Sequence, residues 1–235
     1  VALMCEMMDK RIDFIVEKSN FFESHFLVKE NLISYDKFTA MFGIFGLAEC
    51  VDYFVKPQSL NQSYGHSEKA NQLSVQIVEK LNELVYNHNN KHCKISGNKF
   101  LLHAQCGIGT DYETSPGCRI PAGKEPELSQ HLIHSCSLHK FFKSGISDIF
   151  TFEKTALDNP KFVLDIIKGA LNNNLRIFAF YKSDNDLIRI TGYLVKKSEI
   201  EKYKNNQQNL HDTVMLGAPS AETLNIFQRK IYGEE

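Results

Sequence analysis

Hydrophobic and polar positions along the chain alternate between helical and extended periods. From Ser67 to about Asn87, Leu73, Ile77, Leu81, Leu84 and Val85 recur at three- and four-residue spacing, while Glu68, Lys69, Lys80 and Glu83 occupy the other face. That pattern predicts an amphipathic helix capped by Ser67. Asp158-Asn159-Pro160 opens a second helix, a cap residue with proline in the first turn; its stripe is Val163, Ile166, Ile167, Ala170 and Leu171, and Asn172 to Asn174 end it. Asp36 is placed to cap a third, apolar nearly all round, with Phe38, Met41, Phe42 and Phe45 on one side and Ile44, Leu47, Ala48 and Val51 on the others. Met7 to Lys18 mixes apolar and charged residues and reads equally as helix or strand.

Between the helices lie short apolar runs. Phe100 to Ala104 predicts a buried strand entering a loop with Gly107 and Gly109, and the proline- and glycine-rich stretch from Ser115 to Pro126 predicts loop. Arg176 to Tyr181 is strand by its aromatic and branched content, Lys182 to Asp186 is turn material, and Leu187 to Val195 is a further strand. A helix then follows, with Ser198 as its cap. Helices alternating with strands predict an α/β sheet with crossover helices, and there are neither internal repeats nor a second domain.

Composition narrows the class. The 235 residues are 43% hydrophobic and 23% charged, as expected for a globular protein with a sizeable core. Lys+Arg 27 against Asp+Glu 28 gives a formal charge of -1, so no global field draws nucleic acid. No apolar run reaches the roughly eighteen residues of a membrane span. The chain begins at Val1 without the features of a signal peptide, and reads as the carboxyl-terminal portion of a longer protein. Cysteines at 5, 50, 93, 106, 118 and 136 show no framework spacing and no Cys-x-x-Cys, which predicts reduced thiols in the cytoplasm. His131, His134, Cys136 and His139 are the best-spaced metal donors, but without evident supporting carboxylates they read as surface and packing residues, and no metal is assigned.

The segment that carries chemistry is Arg189-Ile190-Thr191-Gly192-Tyr193-Leu194-Val195. A glycine at the end of a strand ordinarily marks a turn or bulge. The whole heptapeptide, however, resembles the signature of glycyl radical enzymes. Further segments agree in order. Phe42-Gly43-Ile44-Phe45-Gly46-Leu47-Ala48-Glu49 is similar to a segment of anaerobic ribonucleotide reductases. The stretch from Ser115-Pro116-Gly117-Cys118-Arg119 to Gly123-Lys124-Glu125-Pro126 resembles the loop that precedes the radical segment in these enzymes. Gly145-Ile146-Ser147-Asp148-Ile149 and Asp212-Thr213-Val214-Met215-Leu216-Gly217 look like the YjjI family in particular, with pyruvate formate-lyase a more distant likeness.

The resemblance implies an α/β barrel around two opposed loops, with this chain, residues 1–235, as its second half and residues 150–217 as the glycine radical segment. It implies a radical stored on Gly192, with Arg189 and Tyr193 as its neighbours in the radical loop, and no permanently bound cofactor. A separate activase, using S-adenosylmethionine and an iron-sulfur cluster, would install that radical. Gly192 would then take hydrogen from a cysteine thiol, and the thiyl radical would attack a small-molecule substrate of unknown identity in an anaerobic setting. The residue type has a physical reason, since an α-carbon radical flattens and a residue without Cβ does not oppose that geometry. The partner cysteine is expected upstream of Val1, in the missing amino-terminal half; Cys50 reads first as a small buried hydrophobe and second as a candidate for that thiol. Cys118 and Arg119 remain active-site candidates, Arg119 either forking onto a substrate carboxylate or phosphate or forming a surface ion pair. A homodimer is compatible with the reading. The alternative reading is a non-catalytic repair or binding module of the same superfamily that docks on a larger partner.

Overall fold

The structure, a computed structural model, describes residues 1–104, 114–121, 123–182, 187–190 and 193–207. Helix α1, Ala2–Asp13, continues into a π-helical turn over Phe14–Lys18, which settles Met7 to Lys18 as helical. It buries Cys5 and Ile12. Two single-turn helices follow, α2 over Phe21–Ser24 and α3 over Phe26–Lys29.

The helix expected from Asp36 is absent. A 3-10 turn over Tyr35–Lys37 gives way to strand β1, Met41–Gly43. Helix α4 begins only at Leu47 and runs to Val55, after Gly46 adopts a left-handed φ of +71° at its N-cap. Apolar residues on every side of a short run describe a buried strand as well as a buried helix, and the left-handed glycine separates the two elements.

Helix α5, Glu68–Tyr86, is capped as expected: the Ser67 hydroxyl accepts from the Ala70 N–H at 3.4 Å. Its innermost stripe is Ala70, Ser74, Val78 and Val85; Leu73, Ile77 and Leu81 flank it half-buried, and Leu84 faces outward. Just ahead of the cap, Gly65 has φ +86°, and a Cβ there would overlap the Ile120 side chain. Gly65→Ala therefore combines backbone strain with overpacking, and the urea midpoint should report a loss of about 1–3 kcal/mol.

Strand β2, Leu101–His103, pairs in parallel with β1, Met41 opposite Leu101 and Gly43 opposite His103. Ala104 then bridges in parallel to Ile146, beyond helix α6, Leu128–His139. A few residues later β3, Phe150–Phe152, pairs in parallel with β4, Phe180–Lys182, across helix α7, Pro160–Asn172. Asn159 caps α7 by accepting from the Phe162 N–H at 3.1 Å, with Pro160 in the first turn. The expected strand from Arg176 thus starts to pair at its far end, where the Phe150 N–H donates to the Ala179 carbonyl. Each parallel segment lies beside the one before it in the chain, with helices between, so the architecture is α/β. Among the described residues the pairs do not close into a barrel.

The run from Leu187 to Val195 is two strands rather than one. Strand β5, Leu187–Ile190, and β6, Tyr193–Lys196, are antiparallel, with Ile190 opposite Tyr193. Helix α8, Lys197–Lys204, follows directly, which places Ser198 inside its first turn rather than at the cap. The main core gathers Ile12, Val51, Tyr64, Val78, Phe100, Leu102, Leu138 and Phe142. A smaller cluster of Leu132, Phe150, Ala170 and Leu175 lies under α7.

Candidate functional site

Three of the segments singled out in the sequence meet at one place. The first is the turn from β1 into α4. Its Gly46 N–H donates to the Ser115 carbonyl at 2.9 Å, its Ile44 carbonyl accepts from the Gly117 N–H at 3.0 Å, and Phe45 bridges to Pro116. Glu49, in the first turn of α4, accepts from the Ser115 N–H at 2.9 Å. These bonds satisfy the backbone of an irregular buried loop that has no sheet to join.

Within that loop Cys118 and Arg119 are buried, at 4% and 1% exposure. The Tyr64 hydroxyl donates to the Cys118 carbonyl at 2.7 Å. Arg119 reaches the third segment: its Nε donates to the Ser147 carbonyl at 2.5 Å, and its Nη2 lies 3.3 Å from the Ser147 hydroxyl. It is therefore no surface ion pair. Next to Ser147, the buried carboxylate of Asp148 lies 2.8 Å from His131 Nε2 and accepts from the Ile149 N–H. Burial, helped by the negative charge of Asp148, pushes the Cys118 thiol far above its ordinary range. Tyr64 is pushed up in the same way, by burial first and then by Cys118 and Asp148. Burial thus favours the S–H form of Cys118 over the thiolate.

Cys50 lies in α4, as expected, but half-buried rather than fully buried. Arg189 and Tyr193 belong to β5 and β6. Thr191 and Gly192 stand between those paired strands in sequence and lie outside the described residues, as do Cys106, the Gly107/Gly109 loop and the segment from Asp212 to Gly217.

The histidine-rich helix α6 is a packing element, and its histidines are not surface residues. His131, His134 and His139 are all at most 4% exposed. His131 is engaged with Asp148, His139 Nδ1 accepts from the Arg176 N–H at 3.1 Å, and His134 stands edge-on to Tyr64 at 4.6 Å between ring centroids. Both His134 ring nitrogens are buried without a hydrogen-bond partner among the described residues, and burial pushes its pKa down to about 4. Unfolding returns that residue to about 6.5, so the unfolded chain takes up the proton first as pH falls. The contribution of this residue should be fully present above about pH 6.5, and on the order of 3 kcal/mol of it should be lost on acidification towards pH 4. His134→Phe keeps the ring packing without the proton site, and should narrow the gap between urea midpoints at pH 7.5 and pH 5.

A cleft of about 350 Å³ opens at the carboxyl end of β3. Glu125, Glu127, His131, Thr151, Phe152 and Phe162 are among its walls. Its volume is within the range of small-molecule sites, and the carboxyl ends of parallel strands are where α/β proteins bind ligands. Tyr64, Ser147 and the His131–Asp148 pair were not apparent as site residues in the sequence. Ser147 and Asp148 lie in the Gly145 to Ile149 segment, which the sequence marked only by its family likeness, whereas nothing local distinguishes Tyr64.

The family of glycyl radical enzymes described as YjjI-like matches residues 1–232. The chain belongs to that family. An uncharacterized protein of Haemophilus influenzae is 42% identical over 231 residues, 97% of this chain and 45% of its own length. The uncharacterized protein YjjI of Escherichia coli K12 is 38% identical over 224 residues, 95% of this chain and 43% of its own length. The chain thus spans less than half the length of these relatives. No solved structure matches it significantly. No described helix is long and apolar enough to cross a membrane.

Proposed function

We propose that this chain is the radical-bearing portion of a glycyl radical enzyme and that Gly192 stores the radical. The observation that carries the reading is the Arg-Ile-Thr-Gly-Tyr-Leu-Val segment in a member of the YjjI-like family, with Gly192 placed in sequence between the paired ends of β5 and β6. The joined loops around Cys118 and Arg119 support it, because segments far apart in the chain and similar to those of these enzymes build one structural unit. In this reading a separate activase, dependent on S-adenosylmethionine and an iron-sulfur cluster, removes one hydrogen from the Gly192 α-carbon. Gly192 then recovers hydrogen from a cysteine S–H, the thiol is left as a thiyl radical, and the exchange reverses after turnover.

A thiol serves that step only while it keeps its hydrogen. The buried, protonated Cys118 meets this requirement and stays a candidate, with Arg119 as the residue that anchors its loop. The favoured donor is a cysteine upstream of Val1, on the opposed loop of a barrel that this chain completes. The cleft beside Glu125 and Phe152 offers the small-molecule substrate a place. The test is anaerobic activation of the intact protein by its activase, read by electron paramagnetic resonance. A glycyl radical retains one α-hydrogen, so the signal should be a doublet that collapses when the protein is made with α-deuterated glycine. No organic radical under a competent activase would overturn the assignment.

A further inference from the structure

Away from that site, three side chains from two distant parts of the chain converge between the end of α1 and the turn after α5. Asp13 closes α1, and Glu17 lies one turn on in the π-helical segment, on the same side. His92 comes from the turn that follows α5 and is 4% exposed. One ligand atom from each of the three lies within 4.8 Å of the others.

The geometry differs from that of an ordinary ion pair. One helical turn earlier the same two elements make one, Asp9 Oδ2 to His88 Nε2 at 2.7 Å. His92 Nε2 instead stands 3.4 Å from Asp13 Oδ1 and 3.4 Å from Glu17 Oε1, and it is a buried nitrogen with no hydrogen-bond partner among the described residues. An imidazolium facing two carboxylates would close to about 2.7–2.9 Å. Tetrahedral bonds of about 2.1 Å, by contrast, hold neighbouring ligand atoms roughly 3.4 Å apart. The ring is also oriented: its Nδ1 lies 2.8 Å from the Tyr35 hydroxyl oxygen. With Nδ1–H donating there, the Nε2 lone pair points between the carboxylates, the outer contact that metal-bound histidines ordinarily have. Lys91 bonds Glu17 Oε1 at 2.7 Å, but its side chain is 69% exposed and free to swing aside.

We propose that Asp13, Glu17 and His92 bind a divalent transition ion, Zn²⁺ foremost, with water completing the coordination. One imidazole and two carboxylates suit Zn²⁺ better than the hard cations, which prefer oxygen alone. The ion would clip the first helix of the chain to the turn after α5, independently of any radical chemistry.

The test is a Zn²⁺ titration of the intact, non-activated protein against a chromophoric chelator under anaerobic conditions, with Co²⁺ as a spectroscopic probe. One equivalent of Zn²⁺ should bind. Asp13→Asn/Glu17→Gln and His92→Gln should each weaken it by more than about a hundredfold, and Tyr35→Phe by about ten- to a hundredfold, while His88→Gln leaves it unchanged. Co²⁺ should show no thiolate charge-transfer band. Because Asp13 and Glu17 are 46% exposed, the double variant should remain folded even if His92→Gln does not. Failure of the wild type to bind, undiminished affinity in the folded double variant, or a thiolate band from Co²⁺ would each overturn the site.

Discussion

Gly192→Ala in the intact protein should give no organic radical signal after anaerobic treatment with the activase, and no turnover, while the fold survives. The loss is expected to be complete because an added methyl acts on the radical itself. It crowds the planar α-carbon and replaces one of the two hydrogens from which the activase must choose. A strand or turn glycine with a purely conformational role would give a different result: strain of about 1–3 kcal/mol in the unfolding midpoint, with chemistry lowered only as far as folding is lost. The two readouts therefore have to be made together. An unfolding midpoint near wild type with the signal abolished supports radical storage at Gly192. A variant that still yields the doublet, or one whose loss of signal tracks its loss of folded protein, would return Gly192 to a structural part. Tyr193→Phe is a useful companion, since it alters the next residue without touching the α-carbon and should retain the doublet.

What the sequence made legible was local chemistry. Ser67 and Asn159 were readable as helix caps because an oxygen that reaches an N–H two or three residues on needs no knowledge of the fold, and both make that bond. The alternation of helices and strands also survived, because it depends on the period of the apolar pattern. The misreadings share one cause, tertiary placement. Met41 to Ile44 is apolar throughout, and only its pairing with Leu101 to His103 decides that it is extended. Leu187 to Val195 has a single strand's composition, and only the register of Ile190 with Tyr193 divides it. The histidines of α6 read as surface and packing residues, and the surface part fails because their partners, Asp148, Tyr64 and the Arg176 backbone, come from three other segments. The site was legible as a set of ordered segments but not as contacts. That Ser115 rests on Glu49, and Arg119 on Ser147, is a long-range fact that no local pattern encodes.

Arg119→Met should cost on the order of 3 kcal/mol, among the larger single-residue losses in the described core. Methionine keeps most of the apolar stem, so the change isolates the guanidinium from the packing around it. Removing that head takes away the bond to the Ser147 carbonyl from a side chain that is itself 1% exposed, and a hydrogen bond from a charged donor is worth more than a neutral one. Arg119→Lys should recover only part of the loss, because one ammonium cannot occupy both the Nε position at the carbonyl and the Nη2 position at the hydroxyl. Urea unfolding with an unchanged slope and a lowered midpoint would register the effect as stability. A substrate-binding arginine would behave otherwise, with the midpoint held and affinity lost. If both variants unfold at the wild-type midpoint, Arg119 does not hold the Cys118 loop against Ser147. If the midpoint falls as expected, the loop carrying Cys118 owes its position to an arginine facing away from solvent, and loss of activity in such variants would follow from the moved loop before any contact with substrate.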